Sequence, residues 1–241
     1  MTGARTGTRT GAGTTRAARR FPVLAFDFDG TLIDSAPEIG SALNEFLAER
    51  RLPAVSDAQV RAFIGDGAPR LVERALRAGG VEPDPGLLRD ATARYLAIYE
   101  TVPPDPHCIY PGVPETLAAL RAAGHRLGLC TNKPAQASRI VLAALGLDGF
   151  FEAVAGGDSA PVRKPDPGHL LWLLERLGAT PAGSAMVGDN ANDVAAARGA
   201  GVPVVAVSYG YPRMAPADLG ADLLIDRFAD LPAALERLAG G

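Results

Sequence analysis

Val23-Leu24-Ala25-Phe26-Asp27-Phe28-Asp29-Gly30-Thr31-Leu32 carries an apolar run straight into two carboxylates one residue apart, then a glycine and a hydroxyl. A short apolar run that ends in acids and a turn reads as a buried strand whose carboxyl end presents negative charge, the edge where open α/β sheets bind ligands. Two plainer readings compete. In an EF-hand loop, Asp27, Asp29, Thr31 and Glu38 would fill the first, third, fifth and twelfth places, but the sixth place is Leu32 where glycine is required, and the preceding run is β-like. A strand end with acids facing water is the commoner fate of an arbitrary acid pair. Only partners elsewhere in the chain can overturn it.

Composition narrows the field without naming a chemistry. A chain of 241 residues, 47% hydrophobic and 21% charged, can bury a full core as one domain with a large insertion or as two modest ones. A net charge of -3 offers no basic surface for nucleic acid or an anionic membrane, so an anionic substrate would have to be met by a few placed cations and a metal. No run approaches the ~20 apolar residues of a membrane span. Cys130 ends the apolar run Leu127-Gly128-Leu129-Cys130 and reads as a buried structural thiol, Cys108 sits in a Pro-rich linker, and with no Cys-x-x-Cys and no bridge framework a reducing cytoplasm is the compatible compartment.

Residues 1–20 are Thr, Gly, Ala and Arg with no acid and almost no large apolar group, and are expected to form a disordered tail. Helical spacing follows over Pro37–Arg51, Asp57–Ile64, Pro69–Ala78 and Gly86–Glu100, with Ser35 as a cap for the first. The block 37–107 therefore reads as a helical cap inserted directly after the first strand, closed by Val102-Pro103-Pro104-Asp105-Pro106, with Ile64-Gly65-Asp66-Gly67 as a flexible turn. From Tyr110 onward helices alternate with short apolar runs near Arg126–Cys130, Ala153–Ala155, Ala185–Val187, Val204–Val207 and Leu223–Ile225. Residues 21–36 and 108–241 then make an α/β core: a doubly wound parallel sheet of about six strands, buried on both faces.

Three later strand ends carry polar groups suited to phosphate chemistry: Thr131-Asn132-Lys133, then Arg163-Lys164-Pro165 after Gly156-Gly157-Asp158, and Gly188-Asp189-Asn190-Ala191-Asn192-Asp193. Singly, each passes for a helix cap, a solvated loop or a turn. Together with Asp27-Phe28-Asp29-Gly30-Thr31-Leu32 they resemble the four ordered motifs of the haloacid dehalogenase superfamily. Within it, Ile64-Gly65-Asp66-Gly67, Thr131-Asn132-Lys133-Pro134, Gly156-Gly157-Asp158 and Tyr209-Gly210-Tyr211 resemble the phosphoglycolate phosphatases.

The resemblance implies a magnesium-dependent (Mg2+) phosphomonoesterase acting through an aspartyl-phosphate on a small phosphorylated metabolite, with phosphoglycolate leading. Asp27 matches the nucleophile; a carboxylate with an ordinary pKa near ~4 is ionised at neutral pH. Asp29 matches the general acid/base, which must hold a proton near neutrality, as a like charge at Asp27 and partial desolvation would favour. By resemblance the metal ligands are the Asp27 carboxylate, the Asp29 backbone carbonyl and the Asp189 carboxylate, with Asp193 orienting the site from one helical turn away. Lys164 would place a fixed positive charge at the transferring group, while Thr131 and Asn132 would hold its equatorial oxygens. Gly30 frees the turn backbone and Thr31 would close it through its hydroxyl. Asn190 departs from the serine or threonine common at its position.

His107, His125 and His169 read as surface or linker residues, Trp172 and Leu173 as core or cap contacts, and Arg70 either as a bidentate partner for a substrate carboxylate or, as is commoner near a helix start, as a solvated residue. A dehalogenase would not need Asp29. A phosphotransferase, a pyrophosphatase or another sugar phosphatase would use the same residues, and an idle fold-keeping regulator would need none of them. No nucleic-acid or membrane partner is expected, and the working form is expected to be a monomer or homodimer.

Overall fold

The computed structural model describes residues 14–240. Among these described residues, ten α-helices and six strands run in the order α1 (Arg16–Arg20), β1 (Val23–Phe26), α2 (Ala36–Glu49), α3 (Asp57–Phe63), α4 (Ala68–Ala78), α5 (Pro85–Tyr99), α6 (Val113–Ala122), β2 (Arg126–Cys130), α7 (Ala135–Ala144), β3 (Ala153–Ala155), α8 (Pro167–Arg176), β4 (Ser184–Gly188), α9 (Ala191–Gly199), β5 (Val204–Val207), β6 (Leu223–Ile225) and α10 (Leu231–Leu238). All six strands pair in parallel in the order β3-β2-β1-β4-β5-β6. The first strand is therefore central, and the chain winds outward from it on both sides. This leaves a crevice at the carboxyl ends of β1, β2 and β4, where the strand order reverses.

The two faces of the sheet follow the two-residue period of a strand. Val23 and Ala25 of β1 join Met186, Val204 and Ala206 against Leu170, Leu173 and Leu174 of α8 and Val194 of α9. Leu24 and Phe26 turn the other way, toward Leu117 of α6, Val141 of α7 and Leu235 of α10. Phe26 is fully buried and meets Phe151 edge-on with ring centroids 6.2 Å apart. Leu173 belongs to the sheet core, and Trp172 packs at its margin under the Arg176 guanidinium.

The helical block α2–α5 grows from the loop after β1 and shares one continuous core with that face, through Ile39, Leu43, Phe46, Val72 and Tyr95. Its helices start where the sequence provides caps: Ser56 and Gln59 form a reciprocal capping box for α3, and the Asp84 carboxylate accepts from Leu87 N–H at 2.8 Å for α5. Ser35 does not cap α2. Its hydroxyl is buried without a partner, and Ala36 N–H donates instead to the Tyr211 hydroxyl at 3.1 Å and more weakly to Asp34 Oδ1 at 3.4 Å.

Part of the expected tail is structured. Thr15 caps α1, Ala17 and Ala18 are buried, and Ala17 N–H donates to the Glu236 carboxylate at 3.0 Å. Composition misses this, because the order comes from a helix more than two hundred residues away. Residues 1–13 of that expectation lie outside the described residues. No helix among the described residues is long and apolar enough to cross a membrane.

Candidate active site

Asp27 is the first residue beyond β1, and its N–H still donates to the Val187 carbonyl of β4 at 2.9 Å, so the sheet itself aims it. Asp189 follows β4, and Asp193 lies in the first turn of α9. Carboxylate oxygens of these three buried residues lie within 4.8 Å of one another. Lys164, from the loop between β3 and α8, bridges two of them, with Nζ 2.9 Å from Asp27 Oδ1 and 2.7 Å from Asp193 Oδ1.

Burial pushes the Asp27 carboxyl up to about 7 against the pull of Lys164. Burial, with Asp193 and Asp27 close by, raises Asp189 well above the usual carboxylate range. Desolvation acts to lower the Lys164 ammonium, but Asp193 and Asp27 outweigh it and hold it above the ordinary lysine range. Three buried carboxylates share one ammonium, so the cluster is net negative when all three are ionised, which a cation among their oxygens favours. A set of converging hard oxygen donors with excess negative charge fits a divalent cation.

The surroundings of Asp189 show how tightly that position is specified. Its Oδ2 accepts from Tyr211 N–H at 2.6 Å and its Oδ1 from Asn190 Nδ2 at 3.0 Å. Asn190 also caps α9 by accepting from Asn192 N–H at 2.8 Å, while Asp193 Oδ2 returns to accept from the N–H groups of Asp189 and Asn190 at 3.1 Å. The departure to asparagine thus keeps a capping box intact. A Cβ on Gly30, whose φ is +86°, would lie 2.9 Å from Asp189 Cγ, and one on Gly210 would lie 2.5 Å from the Gly30 carbonyl oxygen. The Thr31 hydroxyl, expected to close the turn, is buried without a partner. Backbone bonds from Gly30 N–H to Ile33 O (2.8 Å) and Leu32 N–H to Phe28 O (2.9 Å) close it instead.

Across the crevice, Asp29 meets a cation. Lys133 Nζ lies 3.1 Å and 3.3 Å from its two oxygens, over the Tyr99 ring at 4.5 Å. Burial acts to lower this ammonium, but Asp29 and Tyr99 hold it above the ordinary lysine range. Lys133 stands in the run Thr131-Asn132-Lys133-Pro134, but 104 residues separate it from Asp29, so the sequence carries no sign of the pairing. Thr131 is buried at the end of β2 and lines the chamber between core and helical block. Asn132 differs from expectation. Its Nδ2 donates to the Lys164 and Gly65 carbonyls, both at 2.8 Å, so its side chain has no donor left for a phosphoryl oxygen.

The Gly65 bond belongs to a latch. Asn192 Nδ2 donates to Asp66 Oδ1 at 2.6 Å, and Arg213 pairs with Asp66 at 2.7 Å while donating to the Ala62 and Ile64 carbonyls. Arg74 completes the cluster. Burial works against the Asp66 charge, but Asn192, Arg74 and Arg213 outweigh it and hold its carboxyl below the usual range. The turn read as flexible is thus tied to the core from the loop after β2 (Asn132), the first turn of α9 (Asn192) and the loop after β5 (Arg213). Asn192 and Arg213 carry no sequence signal for this, since their partners are mainly backbone carbonyls.

Two histidines also depart from expectation. His169 is fully buried, with Nδ1 accepting from Lys164 N–H at 3.3 Å and Nε2 at 3.0 Å from the Gly156 carbonyl. His125 is buried against the Phe21 carbonyl at 2.8 Å. Arg70 is exposed and pairs with Glu73 on its own helix, as a solvated residue does. Asp158 caps α7 through Ala135 N–H at 2.8 Å, and a Cβ on Gly157 would overlap Asn132, so that glycine pair is packing for the Thr131 loop.

The profile of the haloacid dehalogenase-like hydrolases matches residues 21–201. A phosphoglycolate phosphatase of Rhodospirillum rubrum is 45% identical over 210 residues, 86% of this chain and 87% of that one. One from Caulobacter vibrioides is 42% identical over 211 residues, 88% of this chain and 89% of that one. Among solved structures, a predicted phosphoglycolate phosphatase from Haemophilus somnus superposes with a TM-score of 0.81 at 33% identity, covering 89% of this chain and 98% of that one. The chain belongs to the haloacid dehalogenase-like hydrolases, as a phosphatase of that family.

Proposed function

We propose that this chain hydrolyses 2-phosphoglycolate, with magnesium, through a phosphoryl group carried on Asp27. The observation that carries the reading is the convergence of Asp27, Lys164, Asp189 and Asp193 in one buried cluster that opens on a chamber also lined by Asp29 and Thr131. The substrate follows from relatives of that name at about two-fifths identity over most of the chain. The Asp27 carboxylate, the Asp29 carbonyl and the Asp189 carboxylate would hold the metal, which supplies charge neutralisation between two anions when bound.

The remaining steps belong to the chain's own side chains. Asp27 attacks phosphorus; the phosphorus–oxygen bond to glycolate breaks, and Asp29 gives its proton to the departing alkoxide oxygen. Asp29 then takes a proton from water, which attacks the phosphoryl group and returns Asp27 as carboxylate with release of phosphate. Lys164 balances charge on Asp27, and Asp193 positions Lys164 as its second partner. The Thr131 hydroxyl meets the phosphoryl oxygens. The block 37–107 acts as a cap that excludes bulk water, and the two buried free thiols suit a cytoplasmic setting.

A panel of small phosphomonoesters, assayed with magnesium and again with EDTA, tests this. Hydrolysis is expected to favour 2-phosphoglycolate, to stop with EDTA and return with added magnesium. Asp27→Asn is expected to fall by at least about a thousandfold. Full activity in EDTA or in that variant would refute the mechanism.

A further inference from the structure

The chamber between the buried acids and the cap has an uneven lining. Ile39, Ile64, Leu71, Tyr95 and Leu96 give it apolar walls on the cap side. Among the described residues that line it, Lys133 is the one cation, and it is buried. Lys164, the other buried lysine nearby, sits behind Asp27 and Asp193, which it bridges, and is not among the residues that line the chamber. A leaving group with its own negative charge would enter such a chamber at a cost of several kcal/mol unless a cation met it there.

Resting on the reading as a 2-phosphoglycolate phosphatase, we propose that Lys133 recognises the carboxylate of the leaving group and so sets the preference for acidic phosphomonoesters. Lys133 Nζ reaches Asp29 at 3.1 Å, the residue that faces the bond to the leaving group in the proposed reaction. An ammonium has three donors, and one carboxylate does not exhaust them. The Tyr99 side chain, its ring 4.5 Å away and its hydroxyl an acceptor for the same ammonium, steadies the charge and leaves one donor direction open. A second anion can therefore share this ammonium from the chamber side.

The opposite wall agrees. Helix α4 starts at Gly67 with no side-chain cap, and both Gly67 and Ala68 line the chamber. Its first turn carries a proline and no acid. The positive end of an uncapped helix thus borders the same space as Lys133, and both favour a carboxylate over a neutral group.

The test compares 2-phosphoglycolate with 2-hydroxyethyl phosphate, which replaces the carboxylate by a neutral group of similar size. Wild type, Lys133→Met and Lys133→Arg are assayed for kcat and KM on both esters, with thermal melts to show that each variant is folded. Wild type is expected to prefer the acidic ester. In Lys133→Met that preference should shrink by roughly 10- to 150-fold, mainly through KM, because a charge-assisted hydrogen bond is lost for one substrate only. Lys133→Arg should retain much of the preference. Equal losses on both esters in Lys133→Met would overturn the proposal and leave Lys133 acting through Asp29 alone, with the phosphatase reading intact. If wild type cleaves neither ester, the phosphatase reading falls and this proposal falls with it.

Discussion

His169 converts a buried contact into a measurable pH dependence. Its imidazole is fully enclosed, and its two nitrogens link the Lys164 backbone to the Gly156 carbonyl. Because Nδ1 accepts, Nε2 carries the proton toward Gly156, and the ring must stay neutral. Burial, reinforced by Lys164, lowers it from 6.5 to about 4. In the unfolded chain the ring takes up a proton as pH falls through 6.5, whereas the folded protein resists until about 4. The unfolded state therefore binds more protons throughout that window, and stability falls as pH falls across it. The full effect is ~3 kcal/mol, and ~2 kcal/mol of it is reached by about pH 5. Urea denaturation of wild type and His169→Asn between about pH 7.5 and pH 5 isolates this contribution, since the buried acids titrate in both proteins. Asparagine keeps an acceptor near the Nδ1 position but cannot titrate. The stability advantage of wild type should shrink by ~2 kcal/mol toward the acid end. A difference that stays flat within ~0.5 kcal/mol would show that burial does not hold His169 neutral.

Two further outcomes follow from the latch and from the glycines around Asp189. Asp66→Ala removes the acceptor shared by Asn192, Arg74 and Arg213, and these partly exposed pairs together are expected to raise KM by about 5- to 30-fold with a smaller change in kcat. An unchanged KM in steady-state assays would show that the latch does not hold the cap over substrate. Gly210→Ala forces a Cβ against the Gly30 carbonyl and the Asp189 side chain; it should destabilise the fold by about 1–3 kcal/mol in urea titrations and lower kcat as well, and a variant with wild-type stability and rate would refute the packing assigned to that glycine.

The strands were legible because a parallel sheet covered on both faces demands uninterrupted apolar runs, and the runs at Arg126–Cys130 and Val204–Val207 have the same bounds in the structure. The helices Ala36–Glu49, Asp57–Phe63, Ala68–Ala78 and Pro85–Tyr99 were legible for the complementary reason: their apolar residues keep a helical spacing that no period-two stretch interrupts. What escaped was set by contacts distant in sequence. The helix at Arg16–Arg20 has a composition that cannot order itself, and it is held by Glu236. His169 and His125 lack neighbouring motif residues, yet the fold closes over both, because backbone carbonyls rather than side chains are their partners. The Asn132 amide looked free for substrate because its two acceptors, the carbonyls of Gly65 and Lys164, leave no mark on residue identity.

The candidate site draws its character from one conflict between fold and charge. The register of β1 against β4 buries Asp27 and Asp189 at adjacent strand ends, and the capping geometry of α9 adds Asp193 to the same space. Each placement follows from backbone demands that would be met as well by neutral residues; together they gather carboxylates that one lysine does not neutralise. A fold gains nothing in stability from that arrangement, since desolvated like charges oppose it. The same desolvation strengthens attraction to a cation bound among those oxygens. The glycines at 30 and 210 keep the space around Asp189 from being filled by side chains, and the latch at Asp66 ties the cap turn to the core above it. Burial, glycine placement and cap attachment thus act on one property, the field that an incoming phosphate and its metal would meet. Changes to the buried charges or to the latch should therefore show first in substrate and metal affinity, whereas a side chain at Gly210 costs the fold as well.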